Sequence, residues 1–334
     1  MKKSLVYFLI LAGLLAVAYY LINQDDNRKE IRAENYDFAV ADTAAVDRIV
    51  MKSKKPEEVV LERMGDHWMV NGKYNARGSA ITTLLETLHG QEMKNYIPEA
   101  QKNNVYKNLS ASGTEVMVYS GDDLIRHFYV GGNAPDMLGT YMMNFGASDA
   151  YVVHKPGHNG FLNTRYFTEE HLWRSKSFIR LKKDDIASVS LQYNDNMKQS
   201  FEIQKTEDGY QLTDLNTNEV LPVKEDAAEG FFEAFSSVLY EGIVQETDRV
   251  WPKVDSIKST IPAFELRIQT TSDSIIKVDG FHKIAQEGET DNQGNLLPYD
   301  RDRKYAIIPS GEFVLIQNYA WKDIFRPKDY FRAE

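Results

Sequence analysis

Three kinds of hydrophobic pattern follow one another along the chain. The first is an unbroken apolar run over residues 5–22, from Leu5 to Ile22, LVYFLILAGLLAVAYYLI, without a charge. From residue 46 the pattern becomes alternation of period two: Val46-Asp47-Arg48-Ile49-Val50-Met51, then residues 58–63, then His67-Trp68-Met69-Val70 after Gly65-Asp66. Successive strand side chains point to opposite faces, so this reads as strand, strand, tight turn, strand. The third pattern is helical: Ile81, Leu84, Leu85 and Leu88 recur at spacings of three and four, which predicts a helix with one apolar stripe.

The same order then returns. Ile186-Ala187-Ser188-Val189-Ser190-Leu191 and residues 200–205 read as strands, Asp208-Gly209 as a turn, and Tyr210-Gln211-Leu212 as the next strand. Phe231, Phe232, Phe235 and Leu239 restore the helical spacing. Trp68 matches Tyr210, and Leu84-Leu85-Leu88 matches Phe231-Phe232-Phe235; both stripes read as core. Further strands follow at residues 115–119, 124–130, 140–145 and 151–154 in the first copy, and at 265–269, 274–279 and 304–308 in the second. At the close, His171-Leu172-Trp173-Arg174-Ser175-Lys176-Ser177-Phe178 aligns with Asp323-Ile324-Phe325-Arg326-Pro327-Lys328-Asp329-Tyr330. Residues 286–303, rich in Gly, Asn and Asp, read as a long hairpin loop inserted in the second copy.

The expected fold class is therefore α+β: an N-terminal transmembrane helix, then two tandem units, each an antiparallel sheet with a helix on one face. The boundaries drawn are an anchor at 1–22, a linker at 23–45, a first repeat at 46–180 and a second at 181–334. Eighteen helical residues rise about 27 Å, close to the roughly 30 Å of a bilayer's hydrocarbon. Lys2 and Lys3 precede the run, and Tyr19 and Tyr20 suit an interfacial belt. The expected placement is a single-pass protein of a bacterial inner membrane, with its C-terminal domain in the periplasm and the lipid bilayer as partner through Leu5 to Ile22. Ala16-Val17-Ala18 leaves open a signal peptide cleaved after Ala18.

The anchor, the Gly-Asp turn, the paired aliphatics on a helix and the aromatic-Arg-x-Lys block together resemble an uncharacterised bacterial family, the domain of unknown function 4340. The resemblance spans most of the chain after about residue 40, and its motifs describe a fold rather than a reaction. It implies membrane-anchored, extracytoplasmic proteins, some encoded beside auxiliary subunits of gliding-type ABC transporters. It supplies no site residues.

Composition narrows the chemistry. The net charge of −10 speaks against a nucleic-acid partner, because phosphate binding draws on clustered Lys and Arg. With no Cys there is no thiol nucleophile, no thiolate metal ligand and no disulfide. No phosphate-cradling loop or nucleophile elbow occurs. Gly131-Gly132-Asn133 runs into Ala134-Pro135 and reads as a turn. Ser274-Ile275-Ile276-Lys277 has Ser-x-x-Lys spacing, but on a strand residues three apart face opposite ways. His154 and His158 flank Lys155-Pro156-Gly157, which breaks the helix a shared metal would need. Asp291-Asn292-Gln293-Gly294-Asn295 lacks a calcium loop's spacing. Lys52, Lys54 and Lys55 read as a hairpin tip rather than a lipid patch. No catalytic, cofactor-binding or metal residue is assigned. The leading expectation is a non-enzymatic, membrane-tethered envelope protein binding a protein partner such as an ABC-type transporter complex. The rivals are a carbohydrate- or peptide-binding protein and a hydrolase with an unfamiliar site.

Overall fold

The computed structural model describes residues 11–20, 36–55 and 57–333. The chain divides into two units, residues 1–175 and 176–334. Each is built on one nine-stranded, wholly antiparallel sheet. In the first the order is β4 (Tyr74–Asn75), β3 (His67–Val70), β2 (Glu58–Met64), β1 (Arg48–Lys52), β6 (Thr114–Ser120), β7 (Asp123–Asn133), β8 (Thr140–Asn144), β9 (Tyr151–His154) and β5 (Glu92–Tyr96). In the second it is β14 (Val220–Leu221), β13 (Gly209–Asp214), β12 (Phe201–Thr206), β11 (Ile186–Tyr193), β17 (Phe264–Thr270), β18 (Ile275–Ile284), β19 (Tyr299–Ile307), β20 (Phe313–Gln317) and β16 (Gly242–Ile243). The two orders are one topology written twice.

Register makes the correspondence residue by residue. In the first unit, Val70 on β3 (His67–Val70), Leu61 on β2 (Glu58–Met64), Ile49 on β1 (Arg48–Lys52) and Val118 on β6 (Thr114–Ser120) pair in one row. The second unit has the same row: Leu212 on β13 (Gly209–Asp214), Ile203 on β12 (Phe201–Thr206), Val189 on β11 (Ile186–Tyr193) and Ile268 on β17 (Phe264–Thr270). All eight side chains are fully buried. Burying an aliphatic of this size contributes roughly 1.5–3 kcal/mol, and the row is where alternation converts into a core.

A helix covers that face in each unit. Gly78–Gly90 presents Ile81, Leu84 and Leu88; Glu225–Glu233 with the 3-10 turn Ala234–Ser236 presents Ala228, Phe231, Phe232 and Phe235. The opposite face is partly covered too. Helix Glu99–Ser112 sets Val105 and Leu109 there in the first unit, and the short helix Val254–Lys258 sets Val254 there in the second.

Both units begin and end in the same way. Residues 36–40 lie inside the stretch drawn as the 23–45 linker, yet Phe38 and Val40 are buried in the first core. The Val40 N–H donates to the Leu88 carbonyl, as the Leu181 N–H does to that of Phe235. At the close, Arg77 N–H donates to Trp173 O and Ser175 N–H to Asn75 O; Lys224 donates to Phe331 O and Ala333 to Pro222 O. Trp173-Arg174 therefore corresponds to Phe331-Arg332, not to Phe325-Arg326. Aromatic-Arg occurs twice near the C-terminus, and only backbone pairing distinguishes the two.

Several expectations are corrected. The α+β balance gives way to a chain made mostly of antiparallel sheet, with few helices. The membrane-spanning helix does not stand either. Of the run from Leu5 to Ile22, residues 11–20 are described as helical; residues 5–10 and 21–22 lie outside the described residues. Among the described residues no helix is long and apolar enough to cross a membrane. The transmembrane, single-pass assignment and the inner-membrane placement with a periplasmic domain rested on that helix and fall with it. Of the stretch read as a long hairpin loop over 286–303, residues 299–303 belong to β19 (Tyr299–Ile307), and residues 285–298 join it to β18 (Ile275–Ile284).

Candidate functional site

The residues singled out for chemistry are dispersed. Gly131, Gly132 and Asn133 end β7 (Asp123–Asn133). Ser274 lies in the turn before β18, while Lys277 is on that strand and pairs with Asp279. His154, at the end of β9 (Tyr151–His154), faces Glu92 at 3.4 Å, whereas His158 takes a hydrogen bond from Arg165. Asp291 closes its own turn by accepting the N–H groups of Gln293 and Asn295. Lys52 pairs with Glu58 across the β1–β2 hairpin. Among the described residues no group of three or more His, Asp or Glu could hold a metal ion.

The groups that do converge lie at one end of the second sheet's core face. A second row of paired residues leads there: Phe264, Gly280, Ala306 and Val314, the last on β20 (Phe313–Gln317). Gly280 is required, because a Cβ at that position would enter the ring of Phe264. Two residues further along, His282 and Lys304 face each other across the same two strands. They are in phase with Val278 and Ala306, so two polar side chains sit where alternation places core.

Around them is a cleft of about 450 Å³, lined also by Tyr193, Asp195, Asn318, Lys322 and Phe325. That volume lies within the range of small-molecule sites. His282 Nε2 is 2.7 Å from Asp195 Oδ2, and the imidazole stacks on Tyr299 with centroids 3.9 Å apart. Lys304 Nζ donates to Asn318 Oδ1 at 3.1 Å and lies 5.6 Å from the Phe325 ring centre. Burial holds the Lys304 ammonium below its usual pKa; the more distant Asp195 and Asp300 oppose that only in part. Tyr193 donates to the Arg326 carbonyl at 2.9 Å, and burial raises its pKa, so it stays a phenol. Lys322 is exposed at the rim.

The first unit closes the same place. Its corresponding row is Thr114, Val130, Met142 and Tyr151. Two residues on from Met142, Thr140 stands where Lys304 stands, paired with Val153 as Lys304 is with Ile316. Thr140 is fully buried, and its Oγ1 accepts the Leu162 N–H at 2.7 Å. Leu162 and Tyr166 are themselves core.

One hollow of the first unit lies on the outer face under helix Glu99–Ser112. It encloses about 380 Å³, lined chiefly by Tyr106, Leu109, Tyr129 and Met143. Nearby, His127 Nε2 meets Glu115 Oε1 at 2.8 Å and stacks on Phe145. Burial and then Glu115 raise the Tyr129 pKa. The hollow is apolar, and its one cationic lining residue, Lys54, is exposed at a hairpin turn. The second unit's cleft, with two amines and a His-Asp pair on aromatic walls, has the richer chemistry.

Sequence reasoning missed Asp195, His282 and Lys304 because they are far apart in the chain and meet only through strand register. The available signal was their phase: His and Lys at core positions of two strands.

In comparison with known proteins, the family model described as domain of unknown function (DUF4340) matches residues 68–255, more than half of the chain. Tyr193 and Asp195 fall inside the matched span; His282 and Lys304 fall beyond it. No curated protein and no solved structure matches.

Proposed function

Since the chain belongs to the family of the domain of unknown function DUF4340, whose description carries no activity, we propose from the site itself a ligand-binding role. The second unit binds a small organic acid with an apolar or aromatic body. The observation that carries this is the pairing of two amines, Lys304 and Lys322, with Phe264 and Phe325 in one cleft. An exposed ammonium meets a carboxylate at the rim, and the aromatic walls take the rest of the ligand.

The rival readings fare differently. Trp173 and Trp321 are core, with indole N–H groups donating to Phe167 and Leu239 carbonyls, so neither is a platform for a sugar ring. The cleft's lining holds no hydroxyl or thiol nucleophile beyond the bonded Tyr193, which weighs against a hydrolase. A protein partner is favoured by one feature: Ile284 and Leu296 are 71% and 73% exposed on the β18–β19 hairpin. An acid-bearing peptide end would satisfy that reading and the cleft together.

Calorimetric titration of the full chain with 3-phenyllactate tests the proposal. We expect saturable binding, weakened about tenfold, or about 1.4 kcal/mol, by Lys322→Gln. Absence of heat, or equal affinity in that variant, would contradict it.

A further inference from the structure

We infer that Lys304 is a carbonyl-capturing amine, so that the acid held in the second unit's cleft is an α-keto acid bound as an imine. This rests on the acid-binding reading above and adds a covalent step to it.

The two amines of the cleft differ in their surroundings. Lys322 is exposed at the rim, and an ammonium in water stays charged at neutral pH. Lys304 is half-buried, reaches its cleft along the core face of β19, and has the neutral amide oxygen of Asn318 as its hydrogen-bond partner, at 3.1 Å. Among the described residues no carboxylate is paired with it directly: Asp195 is taken by His282 and Asp300 by Lys283, at 2.7 and 2.6 Å. Burial without a close counter-charge favours the free amine, and the free amine is the nucleophile. A core-phase lysine is costly as packing. Its counterpart Thr140 fills the same position with a hydroxyl that accepts a backbone N–H.

Each atom in the step is accounted for. The Lys304 Nζ lone pair attacks the keto carbon, forming a C–N bond as the carbonyl π bond opens onto oxygen. A proton passes from nitrogen to that oxygen, giving a carbinolamine. The hydroxyl then leaves as water, taking a proton from the His282–Asp195 pair across the same strands. The nitrogen's remaining proton returns to that pair as the imine forms. One water is produced and nothing is oxidised or reduced. Lys322 holds the carboxylate, which orients the keto carbon toward Lys304.

The test uses phenylpyruvate with sodium cyanoborohydride on the full chain at neutral pH, read by intact mass and peptide mapping. The hydride reduces an imine to a stable secondary amine. The expected result is one adduct per chain, mapped to Lys304, slowed at least tenfold by Lys322→Gln and absent in Lys304→Arg. Excess 3-phenyllactate, which has the acid but no ketone, should suppress it. No adduct, or label spread over the exposed lysines, overturns the inference. If 3-phenyllactate binds while no adduct forms, the imine is wrong and the acid site stands. If 3-phenyllactate does not bind and no adduct forms, both fall.

Discussion

The two units share a strand order, a buried four-residue row, an opening strap and a closing clasp, and they part at one end of the core face. In the first unit that end is sealed by Thr140, Leu162 and Tyr166. In the second it is a cleft carrying His282, Lys304 and Asp195. Once a fold stands twice in one chain, positions that are core in one copy become available for chemistry in the other. The exchange is visible in a single cross-strand pair: Thr114 beside Val130 in the first unit, Phe264 beside Gly280 in the second. Volume moves from one strand to its neighbour, leaving an aromatic wall at the cleft.

The largest expected difference concerns the clasp. Its terminal helix begins with Glu170 in the first unit and Lys328 in the second. Each reaches a corner of its sheet, Glu170 meeting Asn71 at 2.7 Å and Lys328 pairing with Asp214. The second latch is buried and ionic; the first is exposed. Asp214→Asn leaves Lys328 buried and unpaired and should cost about 4 kcal/mol in denaturant unfolding, whereas Glu170→Gln should cost under about 1 kcal/mol. Equal losses would erase the distinction. Lys328 lowers the Asp214 pKa below 3.8, helped by the Asn216 and Thr217 N–H groups. The unfolded chain thus binds the proton more tightly. The stabilisation is complete above about pH 4 and is lost as pH falls through the lower folded value. Acid unfolding of Asp214→Asn should lack that component.

Next in size is Gly280→Val, which overpacks Phe264 and should cost about 3 kcal/mol. Adding Phe264→Thr recreates the first unit's pair and should recover part of the loss; strict additivity in a double-mutant cycle would contradict the exchange. Thr140→Val leaves the Leu162 N–H unbonded and should cost about 2 kcal/mol, measured the same way. The smallest effect has the opposite sign. Lys304→Met removes a half-buried amine and should stabilise the chain by about 1 kcal/mol while abolishing covalent capture of phenylpyruvate. The folded Lys304 pKa lies below the unfolded 10.5. Between those two values the unfolded chain holds the extra proton, so stability falls as pH falls through that window, and Lys304→Met should flatten the slope.

Much of the sheet was legible wherever one face is buried, because alternation in Val46 to Met51 or Ile186 to Leu191 has few other causes. The helical stripes at Leu84 and Phe231 were legible for the same reason. The straps were not, since Phe38 and Ile179 are short apolar insertions in polar surroundings. The clasp was displaced by six residues because Phe325-Arg326 resembles Trp173-Arg174 in letters and Phe331-Arg332 corresponds to it in backbone bonds. The membrane helix was read from hydropathy and its flanking residues, and among the described residues no helix is long and apolar enough to cross a membrane. The cleft was hidden because Asp195, His282 and Lys304 come from three separate places in the chain and converge through register. His282 and Lys304 do break the core phase of β18 and β19, and such a break is the trace a binding site leaves in alternation.

Hydrogen exchange of the full chain with and without 3-phenyllactate tests the central contrast most directly. Ligand protection is expected at residues 193–195, 263–264, 282, 304 and 318–325, with none at 140 or 162–166. Protection in the first unit's sealed end, or none in the second unit's cleft, would contradict it.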